Sequence, residues 1–333
     1  MRDRIDYNIR EDRLPNAEKG KMNAMTKVFI DGSAGTTGLR IAERLSGRRD
    51  IELLRLPEET RKDPSARRDA LNAADVAFLC LPDDAAREAV ALIDNFRTAV
   101  IDTSTAHRTL AGWVYGFPEI GGRRKEIPPA KRIANPGCHA SGFIALAAPL
   151  VESGLLSRDA GLSCFSLTGY SGGGKKMIAE YEAAQRDELL DAPRMYGLAQ
   201  QHKHLKEMQA VCGLTRAPIF CPIVAPYYAG MEVTVPVFAD EIKGGKKAAE
   251  EAYAAYYQTG LVRFASDPGE GGFLSAGKMA GRDDMTVSVL GNEERLILTA
   301  RFDNLGKGAS GAAIQNLNLL IGAKETEGLE VGA

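Results

Sequence analysis

Residues 27–38, KVFIDGSAGTTG, decide the fold: a short apolar run ends in an aspartate, three glycines follow within seven residues, and Thr36 opens an amphipathic stretch. Lys27–Asp31 reads as a buried strand and Thr36–Arg48 as a helix with one apolar stripe. The pattern repeats outward. Ile51–Leu54, Asp75–Leu81 and Thr98–Asp102 read as further strands, and Asp83–Asp94 as a helix. Such alternation predicts a parallel sheet covered by helices on both faces. Right-handed crossovers then put the strand carboxyl ends along one edge, where ligands bind.

The rhythm changes after Cys138. Ala140–Val151, Lys175–Arg186 and Lys206–Val211 read as helices, and Leu162–Thr168, Ile219–Val224, Met231–Phe238, Met285–Leu290 and Leu296–Arg301 as strands. Consecutive strands predict a mixed or antiparallel sheet in a second, α+β domain. Gly308–Ile321 closes the chain as a helix.

Composition narrows the function. The 333 residues, enough for two domains, are 44% hydrophobic and 26% charged, with a formal net charge of −2. No basic excess points to nucleic acid or a membrane surface. The longest apolar runs, such as Val76–Leu81, are strand-sized. Cysteines at 80, 138, 164, 212 and 221 form no CxxC pair, which favours reduced thiols and a cytoplasmic setting. Residues 1–24 mix both charge signs without an apolar core, so a disordered extension is expected there, not a signal peptide.

The turn itself has chemistry. Glycine lets backbone approach a pyrophosphate, and the following helix start supplies oriented N–H groups. Gly32, Ser33, Gly35, Thr36, Thr37 and Gly38 are therefore candidate dinucleotide contacts, although their spacing is GxxGxxG and not GxGxxG. At the end of the second strand an acidic residue would hold the ribose of NAD. The sequence has Arg55 there, with Arg61 and Lys62 beyond, which favours the 2′-phosphate of NADP(H); Glu58 and Glu59 are nearby.

Residues 134–139, ANPGCH, join a strand to the helix that starts near Ala140. Pro136 and Gly137 turn the chain sharply and set Cys138 at a helix N-terminus, a position expected to lower a thiol pKa. The other four cysteines lie in apolar strands or a helix and read as packing residues.

These segments, with residues 104–108 (STAHR), 115–119 (YGFPE), 169–174 (GYSGGG), His202, His204, Glu207, residues 303–308 (DNLGKG) and Gln315, occur in an order that resembles the N-acetyl-gamma-glutamyl-phosphate reductase family, in its shorter, type 2 branch. The resemblance runs from about Lys27 to Gly322. Gly173–Gly174 departs from it slightly, since the family often carries an alanine there. The aspartate-semialdehyde dehydrogenases are similar in the Asn-Pro-x-Cys element and the serine-to-arginine run, and reduction of another acyl phosphate is the alternative.

The resemblance implies an α/β chain made of a Rossmann-type NADP-binding domain (26–137, with the C-terminal helix 304–323) and an α+β catalytic and oligomerisation domain (138–303), following an extension over 1–25. It implies a homodimer or homotetramer in the cytoplasm, acting on a small acyl phosphate in arginine biosynthesis. The chemistry asks for a thiolate nucleophile, Cys138, and a proton carrier, His204 or His202, with Glu207 as orienter or substrate contact. Arg108 is the cation for the leaving phosphate, and Asn135 orients the turn or touches that phosphate. Ser104, Ser171, Gly172, Asn304, Lys307 and Gly308 are expected at the cofactor. No metal is expected, because His202 and His204 have no third ligand nearby. One rival remains in the residues themselves: GYSGGGK at 169–175 follows a strand like a phosphate loop of a kinase or ATPase, but Lys176 stands where Ser or Thr would bind Mg²⁺.

Overall fold

A computed structural model describes residues 25–332; the extension expected over 1–24 lies outside the described residues. In chain order the first part contains β1 (Thr26–Asp31), α1 (Thr36–Ser46), β2 (Ile51–Leu54), α2 (Pro64–Ala73), β3 (Val76–Leu79), α3 (Asp83–Ala91), β4 (Ala99–Asp102), β5 (Val114–Tyr115) and β6 (Arg132–Ala134). These six strands form one parallel sheet in the order β2-β1-β3-β4-β6-β5. Strand alternation sends Val28 and Ile30 to one face and Phe29 to the other. The first pair packs with Ile41 and Leu45 of α1. Phe29 packs with Leu71 of α2 and with Ala86 and Ala89 of α3.

Helix α2 buries only Leu71, so no apolar stripe marks it in the sequence. Its start is nevertheless encoded: Asp63 caps it by accepting from Ala66 N at 2.8 Å, and Pro64 opens it.

The second part contains α4 (Cys138–Glu152), β7 (Ser163–Gly169), α5 (Gly174–Glu182), β8 (Arg194–Met195), α6 (His204–Cys212), β9 (Ile219–Ala225), β10 (Met231–Phe238), α7 (Gly245–Tyr256), β11 (Val262–Phe264), β12 (Met285–Gly291), β13 (Arg295–Phe302) and α8 (Gly311–Ile321). Its seven strands form a mixed sheet in the order β11-β12-β13-β10-β7-β9-β8. Helix α4 is apolar on every side, with twelve buried residues, and lies in the core against β10 and β13. It begins at Cys138 itself, two residues before the expected start. The closing helix is preceded by a π turn, Gly306–Ser310, and α8 returns to the first sheet, where Ala313, Ile314 and Leu317 join its core.

Candidate active site

The glycine turn between β1 and α1 is tightly constrained. Gly32 has φ +88°, and a Cβ there would collide with the carbonyl of Cys80; a Cβ on Gly38 would meet the backbone of Gly32 and Ser33. Both positions need glycine. Gly35, Thr36, Thr37 and Gly38 line a cleft of about 700 Å³ that Ser104, Lys175 and Lys203 also face. Beside it a second cleft, about 480 Å³, is walled by Gly32, Ser33, Arg55, Arg61 and Lys62. Asp31, which ends β1, is paired with Arg67 of α2 at 2.8 Å. The 700 Å³ cleft shares Thr36, Thr37 and Lys203 with a cavity of about 390 Å³ that contains Cys138, Arg108, His202, His204, Ser171 and Gly172.

Cys138 at the head of α4 gathers neighbours from both parts of the chain. Arg108, beyond β4, is anchored by Nε on the carbonyl of Asn135 (2.9 Å), Nη2 on the carbonyl of Thr103 (3.0 Å) and Nη1 on Glu207 Oε1 (2.6 Å). Glu207, on α6, also accepts at Oε2 from Tyr115 OH (2.7 Å) and Gly137 N (3.2 Å). His204 opens α6, and its Nε2 is 3.9 Å from Glu207 Oε1. These groups converge on Gly137, where a Cβ would strike Arg108, His204 and Glu207 together.

Electrostatics correct one expectation. Burial pushes the Cys138 thiol up to about 11, although the His139 N–H and Arg108 pull it down. The helix-start effect is present but loses to desolvation. His204 is held well below the usual histidine range by burial and then Arg108, and its Nδ1 is buried without a partner. His202 is lowered less decisively, by burial and Lys203, and its Nδ1 accepts from the backbone N–H of His204 at 3.2 Å. His139 joins the same cluster: its nitrogens bond Ser166 Oγ and Tyr196 OH, each at 2.7 Å, and burial drives its pKa down to about 3.

Four expected contacts are engaged inside the protein. Lys307 is buried, its Nζ bonded to Glu119 Oε2 at 2.8 Å and Gln315 Oε1 at 2.5 Å, so it does not reach the cofactor cleft. A lysine between two glycines at a helix start reads locally as a phosphate ligand, but its buried partner overrides this. Asn135 donates to Ala309 O (3.0 Å) and accepts from Asn316 (3.1 Å), so it orients the turn, and it also lines the cavity that holds Cys138 and Arg108. Asn304 bridges Gly230 N and Ser171 Oγ. The Ser104 hydroxyl donates to Asp102, which also binds His107. Gly308 lies against the nucleophile: a Cβ there would come 2.9 Å from Cys138 Cβ. The loop at 169–175 lies along this same cavity and cleft, Ser171 through Gly174 and Lys175 facing them.

Two aromatic residues carry no role in the sequence reading. Tyr196 stands in no local motif. Tyr115 lies inside YGFPE, but only the fold reveals what its hydroxyl holds.

Comparison with known proteins agrees with this architecture. Residues 27–127 match the family profile described as semialdehyde dehydrogenase, NAD binding domain, and residues 138–304 match semialdehyde dehydrogenase, dimerisation domain. Among solved structures, aspartate semialdehyde dehydrogenase II from Vibrio cholerae superposes with a TM-score of 0.66 at 16% identity, over 89% of this chain and 98% of that one. The Candida albicans aspartate semialdehyde dehydrogenase with NADP gives 0.61 at 15%, over 90% and 99%. At such identity the likeness concerns the fold. Closer in sequence, N-acetyl-gamma-glutamyl-phosphate reductase 2 from Nostoc sp. is 45% identical over 319 residues, covering 91% of this chain and 99% of that protein. The protein of the same name from Pseudomonas putida is 45% identical over 313 residues, covering 90% and 98%. With a constrained glycine turn, a cysteine at the head of a buried helix and this degree of identity over almost the whole length, the chain belongs to the N-acetyl-gamma-glutamyl-phosphate reductase family.

Proposed function

We propose that the chain reduces N-acetyl-L-glutamyl 5-phosphate to the 5-semialdehyde and phosphate with NADPH, through a thioester on Cys138. The observation that carries this reading is the convergence of Cys138, Arg108 and His204 around Gly137, beside the glycine-turn cleft.

Cys138 Sγ attacks the acyl carbon and gives its proton to His204 Nε2. His204 is favoured over His202 because its Nε2 reaches Gly137, next to the nucleophile. A thiol raised to about 11 stays protonated at rest, so the proton leaves as the carbon–sulfur bond forms. The expelled phosphate is met by the Arg108 guanidinium, whose remaining η N–H groups are not used by Thr103 or Glu207. Backbone N–H groups at the start of α4 face the oxyanion. His204 returns its proton when the aldehyde and thiol separate.

The residues fit a dinucleotide: Gly32 and Gly38, which admit no Cβ, let the turn fold tightly so that its backbone and the start of α1 line the cleft, and Arg55, Arg61 and Lys62 wall the neighbouring cleft where a 2′-phosphate would lie. Gly35 to Gly38 would hold the pyrophosphate, and Ser171 and Gly172 would border the nicotinamide. When bound, the cofactor supplies hydride to the thioester carbon.

Domain division is proposed at Cys138, with the final helix assigned to the first unit. Phe165, Phe238 and Ile297 lie exposed on one face of the second sheet, away from α4. That face is proposed to join two copies, as a homodimer or as half of a homotetramer. Among the described residues no helix is long and apolar enough to cross a membrane, and a cytoplasmic location is proposed from the reduced thiols.

The test is NADPH oxidation with N-acetylglutamyl phosphate, alongside NADH. Turnover is expected with NADPH, and Cys138→Ser should lower kcat by at least about a thousand-fold. Full activity in that variant would refute the thioester.

A further inference from the structure

Glu207 stands where a histidine-orienting carboxylate would stand, one helical turn from His204, yet it makes no hydrogen bond to the ring. The nearest approach is 3.9 Å, from His204 Nε2 to Oε1, beyond hydrogen-bond reach. Both carboxylate oxygens are already held by groups from the first half of the chain. Arg108 Nη1 holds Oε1 at 2.6 Å, while Tyr115 OH at 2.7 Å and Gly137 N at 3.2 Å hold Oε2.

Tyr115 sits on β5, at the edge of the first sheet, with its ring buried and the Arg123 guanidinium 5.9 Å from the ring centre. We infer that Tyr115 is a positioning residue: by anchoring Glu207 Oε2 while Arg108 takes Oε1, it keeps the carboxylate off His204 Nε2 and leaves that nitrogen free for the cysteine proton. The inference rests on the proposed role of His204 and adds the device that keeps the ring available.

The surroundings of His204 make the device consequential. Burial and then Arg108, His139, His202 and Lys203 disfavour the charged form of the ring, and Cys138 lines the same cavity next to Gly137. Among the described residues Glu207 is the one carboxylate within 4 Å of a nitrogen of the ring. Were it to rotate onto Nε2, it would favour imidazolium and block the proton acceptor in one move. Burial and Glu207 keep the tyrosine hydroxyl protonated far beyond neutral pH, so it remains a donor throughout the working range.

Tyr115→Phe deletes the anchor and keeps the ring. The expected result is a rise of roughly one pH unit or more in the His204 titration midpoint, followed by NMR of histidine-labelled protein. The acid limb of kcat/KM should move to higher pH with it, with KM for NADPH unchanged. Adding Glu207→Gln to Tyr115→Phe should abolish the rise. As a second probe that retains the hydroxyl and strengthens it as a donor, 3-fluorotyrosine at position 115 should leave the midpoint unchanged or lower it. A folded Tyr115→Phe protein with an unshifted midpoint would overturn the inference, as would a rise in the fluorotyrosine protein. Because the NMR midpoint is read without turnover, failure of this inference is distinguishable from absence of reductase activity.

Discussion

Gly137 has no side chain, and the volume a methyl group would take is already occupied by Arg108, His204 and Glu207. Gly137→Ala is therefore expected to spread the three groups apart and lower kcat by about a hundred-fold or more, since displacement of reacting groups by about 1 Å costs that much. Far-UV circular dichroism should stay unchanged; an active Gly137→Ala protein would show that these groups need not converge. At this scale much of the candidate site was legible. Cys138, Arg108 and the glycine turn lie in local patterns whose geometry follows from neighbouring residues. The thiol's raised pKa was not legible, because burial opposes the helix start and burial is set by the whole fold. Nor was the proposed preference for His204 over His202, or the engaged amides of Asn135 and Asn304, since their partners lie far along the chain.

Among the elements, the π turn Gly306–Ser310 shows how tertiary pairing overrides a local reading. Lys307 points inward to Glu119, whose carboxylate also accepts from Gln315 and from Leu261 N, each at 2.8 Å. Burial alone would raise the Glu119 carboxyl, but Lys307 and these donors hold it below the usual range, while burial lowers the Lys307 ammonium in spite of that carboxylate. Lys307→Met strands a buried carboxylate and is expected to cost about 3–5 kcal/mol, measured by urea unfolding. The affinity of the folded variant for NADPH should be nearly unchanged, because the ammonium does not reach the cleft; a large loss of binding with unaltered stability would reverse this assignment. Helices α2 and α7 were illegible for a simpler reason. The first buries only Leu71 and the second only Ala249 and Tyr253, too few positions for a periodic stripe. The strands and α4 were readable because their apolar runs are continuous or alternate cleanly.

For the whole molecule, buried neutral histidines couple stability to pH. His139 titrates near 3 in the folded protein, against about 6.5 for a free histidine, and His204 is also well below that value. Between these pH values the unfolded chain binds protons that the folded chain does not, so stability falls as pH drops below about 6.5 and continues to fall toward 3. The urea midpoint should decline from pH 7 to pH 5, and His139→Gln should decline less steeply; equal slopes would exclude this histidine as a source. Helix α8 has a different consequence. Ala313, Ile314 and Leu317 complete one face of a sheet whose strands end at Ala134. During synthesis, those strands leave the ribosome well before the helix that seals them, and their apolar face must wait for nearly the entire remaining chain. The nucleotide-facing half, first to be made, is thus among the last parts to be finished.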